Sequence, residues 1–335
     1  MHAGRRFHLR EILYWTRRDL FRCLLWATPP TALYHLCGFT FLSLSWVPVA
    51  LLGTAVSFLV GFKNNSSYAR LWEARQIYGG IVNNSRAFAV MVRDFLRPTA
   101  PAAVPGLFGR HFAWLTALRY QLREPRAWEN MNQPANREYA QLYRVPEHDA
   151  PLEPELARYL PAAEQTYVLG KKNRATQLMA LQSKQLNELH AAGALTEFQL
   201  LQLQTAVTRF YDLQGQAERI KNFPYPRNFS SITTILLYVF VLLVPFGLLR
   251  EFDRLGDGTF MAGYSVWVNI PFATLLMWVF LTIDRVGDSS VNPFEGSSND
   301  VPISSISRTI EIDLRDMLDE TELPAPLSPV HDILM

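Results

Sequence analysis

Residues 23–62 contain no Lys, Arg, Asp or Glu. A charge-free run of about 40 residues is enough for two helical crossings of a hydrocarbon core, at about 20 residues each. The turn between them is expected at 43–48. Pro29 and Pro30 sit early in the first crossing, where they are expected to kink it or mark its start. The second crossing does not stop where its apolar part stops. After Phe62 come Lys63, Arg70, Glu73, Arg75, Arg86, Arg93 and Asp94, with no proline until Pro98. Residues 45–96 are therefore predicted to form one helix that leaves the membrane and continues into water, on the order of 75 Å long. Within it Thr54, Phe58 and Phe62 recur every four residues and share one face. That face can meet lipid, the protein's own core, or a pore built by several copies.

The rest of the chain alternates between the same two solvents. Residues 1–22 are basic, with six Arg in 5–22 against Glu11 and Asp19. Lys and Arg thus flank the first two crossings, while the turn between them has none. The positive-inside rule places the N-terminus and the helix extension in the cytoplasm. Residues 97–227 are soluble in character. PTAPAAVPG reads as a linker, 107–122 as an amphipathic helix, and the region through Pro161 as irregular. A helix through Leu178, Leu181, Gln182, Gln185 and Leu189 is expected to end at Gly193. Thr196 and Gln199 form a capping box that starts the next helix, which stops at Phe223-Pro224-Tyr225-Pro226. Residues 228–249 and 259–283 are two further apolar stretches, separated by a link with no positive excess. Four crossings return the chain to the cytoplasm, and the acidic end of 284–335 reads as peripheral or mobile. The segments are thus 1–22 cytosolic, 23–96 the first two crossings with the extension, 97–227 a cytosolic helical region, 228–283 the last two crossings, and 284–335 a cytosolic tail.

Catalytic chemistry is hard to find. Of 335 residues 49% are hydrophobic and 19% charged, with a formal charge of +2, which gives no argument for nucleic acid. Cys23 and Cys37 make neither a disulfide framework nor a metal site. There is no HExxH, Walker loop, GxSxG or CxxC. No catalytic residue, metal ligand or cofactor is assigned, and the chain is not read as an enzyme. His35 is the one side chain in the run 23–62 that can carry a positive charge. It is a functional candidate by position, against the plainer reading of a neutral ring bonded to a neighbouring helix.

Several motifs taken together resemble the bestrophin family of ion channels in its bacterial branch. They are Leu52-Gly53-Thr54 through Gly61-Phe62-Lys63-Asn64, then Tyr68-Ala69-Arg70-Leu71-Trp72-Glu73-Ala74-Arg75, Glu218-Arg219-Ile220, Pro224-Tyr225-Pro226, Asn292-Pro293-Phe294 and Asn299-Asp300-Val301-Pro302. The resemblance covers nearly the whole chain in order. It implies an all-α membrane protein with four transmembrane helices per subunit and a cytosolic helical domain, assembled as a homopentamer around a single axial pore in the bacterial inner membrane. It also implies that Thr54, Phe58 and Phe62 line a hydrophobic neck, and that Tyr225 forms a second, cytosolic constriction. Asn292, Pro293, Phe294 and Asp300 become candidates for ion contact or a place next to the gate. The implied partners are further copies of the chain, membrane lipid and permeant inorganic ions.

Two departures from the family matter. Thr54 stands where an aliphatic residue is usual, so that end of the neck should be wetter. Animal members carry an acidic run after Asn-Pro-Phe that clasps calcium, whereas Glu295-Gly-Ser-Ser-Asn-Asp300 holds two carboxylates. Calcium takes six to eight oxygens, so calcium gating is not expected. An apolar ring opposes ions by dewetting and does not choose their sign. The reading leans to chloride and other anions, with a cation-selective channel of the same fold or a small-molecule carrier as alternatives. A carrier would need internal repeats and broken helices, for which Pro245 and Pro271 are the candidates. A membrane-anchored enzyme or scaffold would need a titratable cluster that the sequence does not display.

Overall fold

The longest element is a single helix of 51 residues, α2 (Trp46–Leu96), as its unbroken sequence pattern predicts. The computed structural model describes residues 1–258 and 261–335. In chain order its helices are α1 (Leu9–Leu36), α2, α3 (Val104–Arg123), four short ones, α4 (Pro134–Tyr139), α5 (Pro146–Asp149), α6 (Leu152–Ala157) and α7 (Ala162–Leu169), then α8 (Arg174–Ala191), α9 (Glu197–Asn222), α10 (Arg227–Leu255), α11 (Asn269–Ser290) and α12 (Ile303–Asp316). Among the described residues the only β-pairing is in isolated bridges, His2 with Ile333 and Val330 with Ile333. Two compact units divide the chain.

The first unit holds Arg6–Ala69 and Pro224–Val291, and so α1, the start of α2, α10 and α11. Its core is Cys23, Ala27, Val49, Val56, Val60, Leu237, Phe240, Val244, Ala273 and Met277. Along α2 the buried positions are Val49, Gly53, Val56, Val60, Lys63 and Ser67. Steps of four and three keep them in one seam down the helix. Gly53 belongs there because a Cβ would lie 2.7 Å from the Phe240 ring.

Three stretches are long and apolar enough to cross a membrane: Thr40–Leu96, Glu197–Leu255 and Ser265–Ser290. The first expected crossing differs from its sequence reading. α1 starts at Leu9, well before the charge-free run, and ends at Leu36, so only its latter half is free of Lys, Arg, Asp and Glu. Pro29 and Pro30 lie inside it, not at its start. They leave the carbonyls of Leu25 and Trp26 without an i+4 N–H, and on either side Thr28 Oγ donates to Leu24 O (2.7 Å) and Thr31 Oγ to Ala27 O (2.9 Å). Pro245 likewise sits inside an unbroken α10, and Asn269 Nδ2 donates to its carbonyl at 3.0 Å. Pro271 falls in the first turn of α11, where a missing N–H costs nothing. The start expected at Thr259 lies outside the described residues, and α11 itself begins at Asn269. Both α10 and α11 run beyond their apolar parts, through Arg250 to Leu255 and through Asp284 to Ser290.

The second unit holds Met1–Arg5, Arg70–Phe223 and Asn292–Met335. Its core gathers the later part of α2 with α3, α8, α9 and α12, including Tyr78, Phe88, Trp114, Leu186, Phe210, Phe294 and Ile310. α3 is not the amphipathic helix its sequence suggests. It is buried nearly all round, with Arg110, His111, Arg119 and Arg123 among the buried residues. The charges are tolerated because each is paired: Arg110 with Glu164 (2.8 Å), Arg119 with Glu147 (2.6 Å) and Arg123 with Asp300 (3.2 Å). His111 is pushed down to about 3 by burial, so it is neutral, and its Nε2 lies 2.9 Å from Ser85 Oγ. Gly193 does end α8, at φ +76, and Thr196 forms the expected capping box with Gln199. The acidic tail is only partly peripheral. α12 buries Ile303, Ile310 and Leu314, and Ile333 and Met335 pack with Tyr143 and Val145.

Candidate functional site

The stripe of α2 opposite its buried seam is the first candidate. At about 100° per residue, Thr54, Phe58 and Phe62 lie about half a turn from the seam of Gly53, Val56, Val60 and Lys63. Thr54 is exposed, and Phe58 and Phe62 are each 66% exposed. These side chains are therefore not part of the subunit's own core. Thr54 Oγ donates to Ala50 O at 3.0 Å, which satisfies its hydroxyl proton on its own helix and leaves its methyl and oxygen at the surface. Two phenylalanines held outward one turn apart on a helix make an apolar surface suited to lipid, to protein or to a space where water is sparse.

Tyr225 lies between α9 and α10 in a short non-helical step, half-buried, with Pro224 before it and Pro226 after it. Pro226 is the residue before α10, and Phe223 ends α9. The prolines hold both flanking φ angles, so the step is stiff. The end of α9 is capped from α2, where Arg70 Nη2 donates to Ile220 O and Phe223 O, both at 2.9 Å.

The Asn292-Pro293-Phe294 loop is interior. Asn292, Pro293, Phe294 and Asp300 are all buried, and the Phe294 ring packs 5.8 Å from that of Tyr78. The loop closes on itself through Val301 N to Pro293 O at 3.1 Å. Asp300 is fully engaged: Gly296 N donates to Oδ2 at 2.7 Å, Ser297 Oγ donates to Oδ1, and Arg123 Nη1 donates to Oδ2. Burial raises the Asp300 carboxyl, with Arg123 opposing the rise. Glu295 Oε2 accepts from Asn130 N at 2.9 Å and Asn292 Nδ2 at 3.3 Å, while Oε1 is buried with no partner among the described residues. Burial first, and then the charge of Asp300, push Glu295 well above the usual carboxylate range. Arg123 also approaches Glu147 at 3.7 Å. The Glu147 carboxyl sits low in spite of its burial because Arg119 and Arg123 face it.

His35 is half-buried against the rings of Trp267 (5.3 Å) and Tyr264 (6.1 Å). Two features escape the sequence reading altogether. One is the Arg123–Glu147–Asp300 network under the loop. The other is Lys63, which lies in the α2 seam and reaches Asp284 and Asp288 of α11 at 2.8 Å each. The available signal was a lone Lys at a seam position and two Asp spaced i, i+4 at the end of an apolar helix.

These features define a helical membrane protein with one apolar face left open and a separate helical unit rich in buried ion pairs. The family model described as Bacterial/Fungal Bestrophin protein matches residues 11–316, so the chain belongs to the bacterial and fungal bestrophin family. It is 26% identical over 283 residues to the voltage-dependent anion channel-forming protein YneE of Escherichia coli, covering 84% of this chain and 80% of that one. It is 27% identical over 282 residues to a voltage-dependent anion channel-forming protein of Ralstonia nicotianae, covering 84% and 80%. Its fold matches the crystal structure of a bacterial bestrophin homolog from Klebsiella pneumoniae with a TM-score of 0.72 at 23% identity, covering 91% of this chain and 99% of that one.

Proposed function

We propose that this protein is an anion channel in which five copies surround one axial pore, and that Thr54, Phe58 and Phe62 of every copy line its narrow neck. The observation that carries the reading is the outward stripe of α2. It stands opposite the buried seam, and two Phe are held there at 66% exposure with no partner surface in their own subunit's core. Copies of the chain facing one another across an axis turn that stripe into a collar, which restrains ions by dewetting. Anion permeation is favoured by the names of the relatives in Escherichia coli and Ralstonia nicotianae. Membership of the same family speaks for a channel rather than an enzyme.

In this reading α1, α2, α10 and α11 make four crossings of the bacterial inner membrane, with both termini cytoplasmic. Tyr225 holds the second constriction on its stiff proline step. Asn292, Pro293, Phe294 and Asp300 serve next to the gate as buried scaffold, since burial removes them from the ions. Calcium is not the activator. Asp300 already accepts from Gly296, Ser297 and Arg123, and a guanidinium beside it repels a dication. The carrier reading loses its candidates for broken helices, because α10 is continuous through Pro245 and Pro271 opens α11.

Planar-bilayer recording in a potassium chloride gradient tests the proposal. Unitary current steps that reverse near the chloride equilibrium potential are expected. Reversal near the potassium potential would establish a cation channel of the same fold, and saturable flux without steps a carrier. Native mass measurement in mild detergent is expected to give five copies, and a monomer or dimer would overturn the axial pore.

A further inference from the structure

Lys63 follows Phe62 directly, yet its side chain is only 2% exposed. It occupies a seam position one turn beyond Val60 and two beyond Val56, where an apolar residue would serve packing as well. Its ammonium is instead 2.8 Å from Asp284 Oδ1 and 2.8 Å from Asp288 Oδ1, two carboxylates one turn apart on α11. At the same level Asn64 Nδ2 donates to Ile283 O at 3.2 Å. Gly287 lies between the two acids, and a Cβ there would stand 2.0 Å from Asn64 Oδ1, so α2 and α11 meet with no room to spare. α11 is in turn tied to α1 by Arg285 with Asp19 at 2.5 Å. The post to which Lys63 is fastened is thus itself fastened.

A buried ion pair is a poor way to gain stability, since apolar replacement is often neutral or better, but it can fix a register. Hydrophobic packing has no direction, and a seam of valines allows a helix to roll by small angles. Two short charge-assisted bonds to successive turns of a neighbour do not. Phe62 has no comparable fastening, since its ring is 66% exposed.

We infer that Lys63 is a positioning residue for ion passage. Its clip to Asp284 and Asp288 sets the rotation of α2 and thereby holds Phe62 at the radius that makes the neck narrow. The inference rests on the neck reading above and names the part of the subunit that keeps the neck's width.

The test is a double-mutant cycle on unitary conductance and on relative permeability to anions of increasing size, using the full-length channel: parent, Lys63→Met, Phe62→Ala and the pair together. Lys63→Met is expected to change unitary conductance by about twofold, and Lys63→Arg to return it toward the parent. In the Phe62→Ala background the Lys63→Met effect should vanish, because the side chain it positions is gone. A merely structural Lys63 would lower the yield of assembled channels and leave conductance and permeability ratios alone. That result overturns the inference, as does an equal effect of Lys63→Met with and without Phe62. If Phe62→Ala alone changes nothing, the neck reading fails and the clip falls with it. Should Lys63→Met not assemble, Asp288→Asn removes half of the clip at a side chain that is 32% exposed, and the same cycle is run with it.

Discussion

The two parts of α2 obey different rules on one continuous helix. In Arg70–Leu96 the buried face is apolar but for Ser85, with Leu71, Ala74, Tyr78, Ile81, Phe88 and Val92, and the open face is mostly polar, carrying Arg75, Gln76, Asn83 and Arg86 beside Trp72 and Val90. That is a helix beside water. In Trp46–Ala69 the buried face is also apolar except for Lys63 and Ser67, but the open face carries Leu51, Phe58 and Phe62. The polarity difference between inside and outside has gone, and at Lys63 it is reversed. A charge buried within and aromatic rings without are expected where the outside is lipid or another copy of the chain. Exposure alone does not identify a surface. What the exposed residues are, set against what the same helix buries, identifies its solvent.

The largest effects are expected on the apolar face of α2. Phe58→Ala and Phe62→Ala are each expected to widen the neck and raise unitary conductance by about twofold or more, with assembly intact. Val60→Ala, one seam position away, should do the reverse: a loss of about 1–3 kcal/mol in thermal stability with conductance unchanged. If Val60→Ala raises conductance and the Phe variants do not, the faces have been assigned the wrong way round.

Charge in the other unit gives a smaller effect. The folded-state pKa of Glu295 lies above its unfolded value, so its stabilising contribution is full below the unfolded value. It is lost as pH rises through the folded one. Glu295→Gln keeps an oxygen for Asn130 and Asn292 and removes the proton uptake that folding requires of Glu295 above its unfolded value. The variant should melt above the parent at neutral and alkaline pH, with the gap closing in acid, as thermal unfolding monitored across pH will read. A gap that grows in acid would contradict the assignment.

Tyr225→Ala should leave assembly unchanged and alter relative permeability among anions, measured as reversal-potential shifts when chloride is replaced. Identical ratios would move the second constriction elsewhere. Thr54→Ala is expected to have the smallest effect, a conductance within about a fifth of the parent, because side-chain volume changes little and the neck ring it belongs to is already wet.

Much of this architecture is legible from local chemistry. The unbroken run to Leu96, the φ +76 glycine after α8 and the Thr196–Gln199 box are decided within a few residues, and the structure carries them as read. The outward position of Phe58 and Phe62 needed one more fact, which face of α2 is buried, and the four-residue spacing alone left that open. Long-range partners were not legible. Arg123 meets Asp300 177 residues away and Lys63 meets Asp284 221 residues away. Nothing in the periodicity of α3 announces that its arginines are buried, because the acids that neutralise them lie on α5, on α7 and beyond the last apolar helix. Pro29 and Pro30 are a different case: they stand inside α1, so of the two local readings, a kink or a start, the start is excluded.

The claim that the face of α2 opposite its seam borders the ion path is tested most directly by cysteine accessibility. In a background with Cys23→Ala and Cys37→Ser, single Phe58→Cys, Phe62→Cys and Val60→Cys channels are recorded while a charged methanethiosulfonate is applied. Rapid, irreversible change of current is expected at the two Phe positions and none at Val60→Cys, which is buried in the seam. Modification at Val60→Cys with silence at both Phe positions would contradict it.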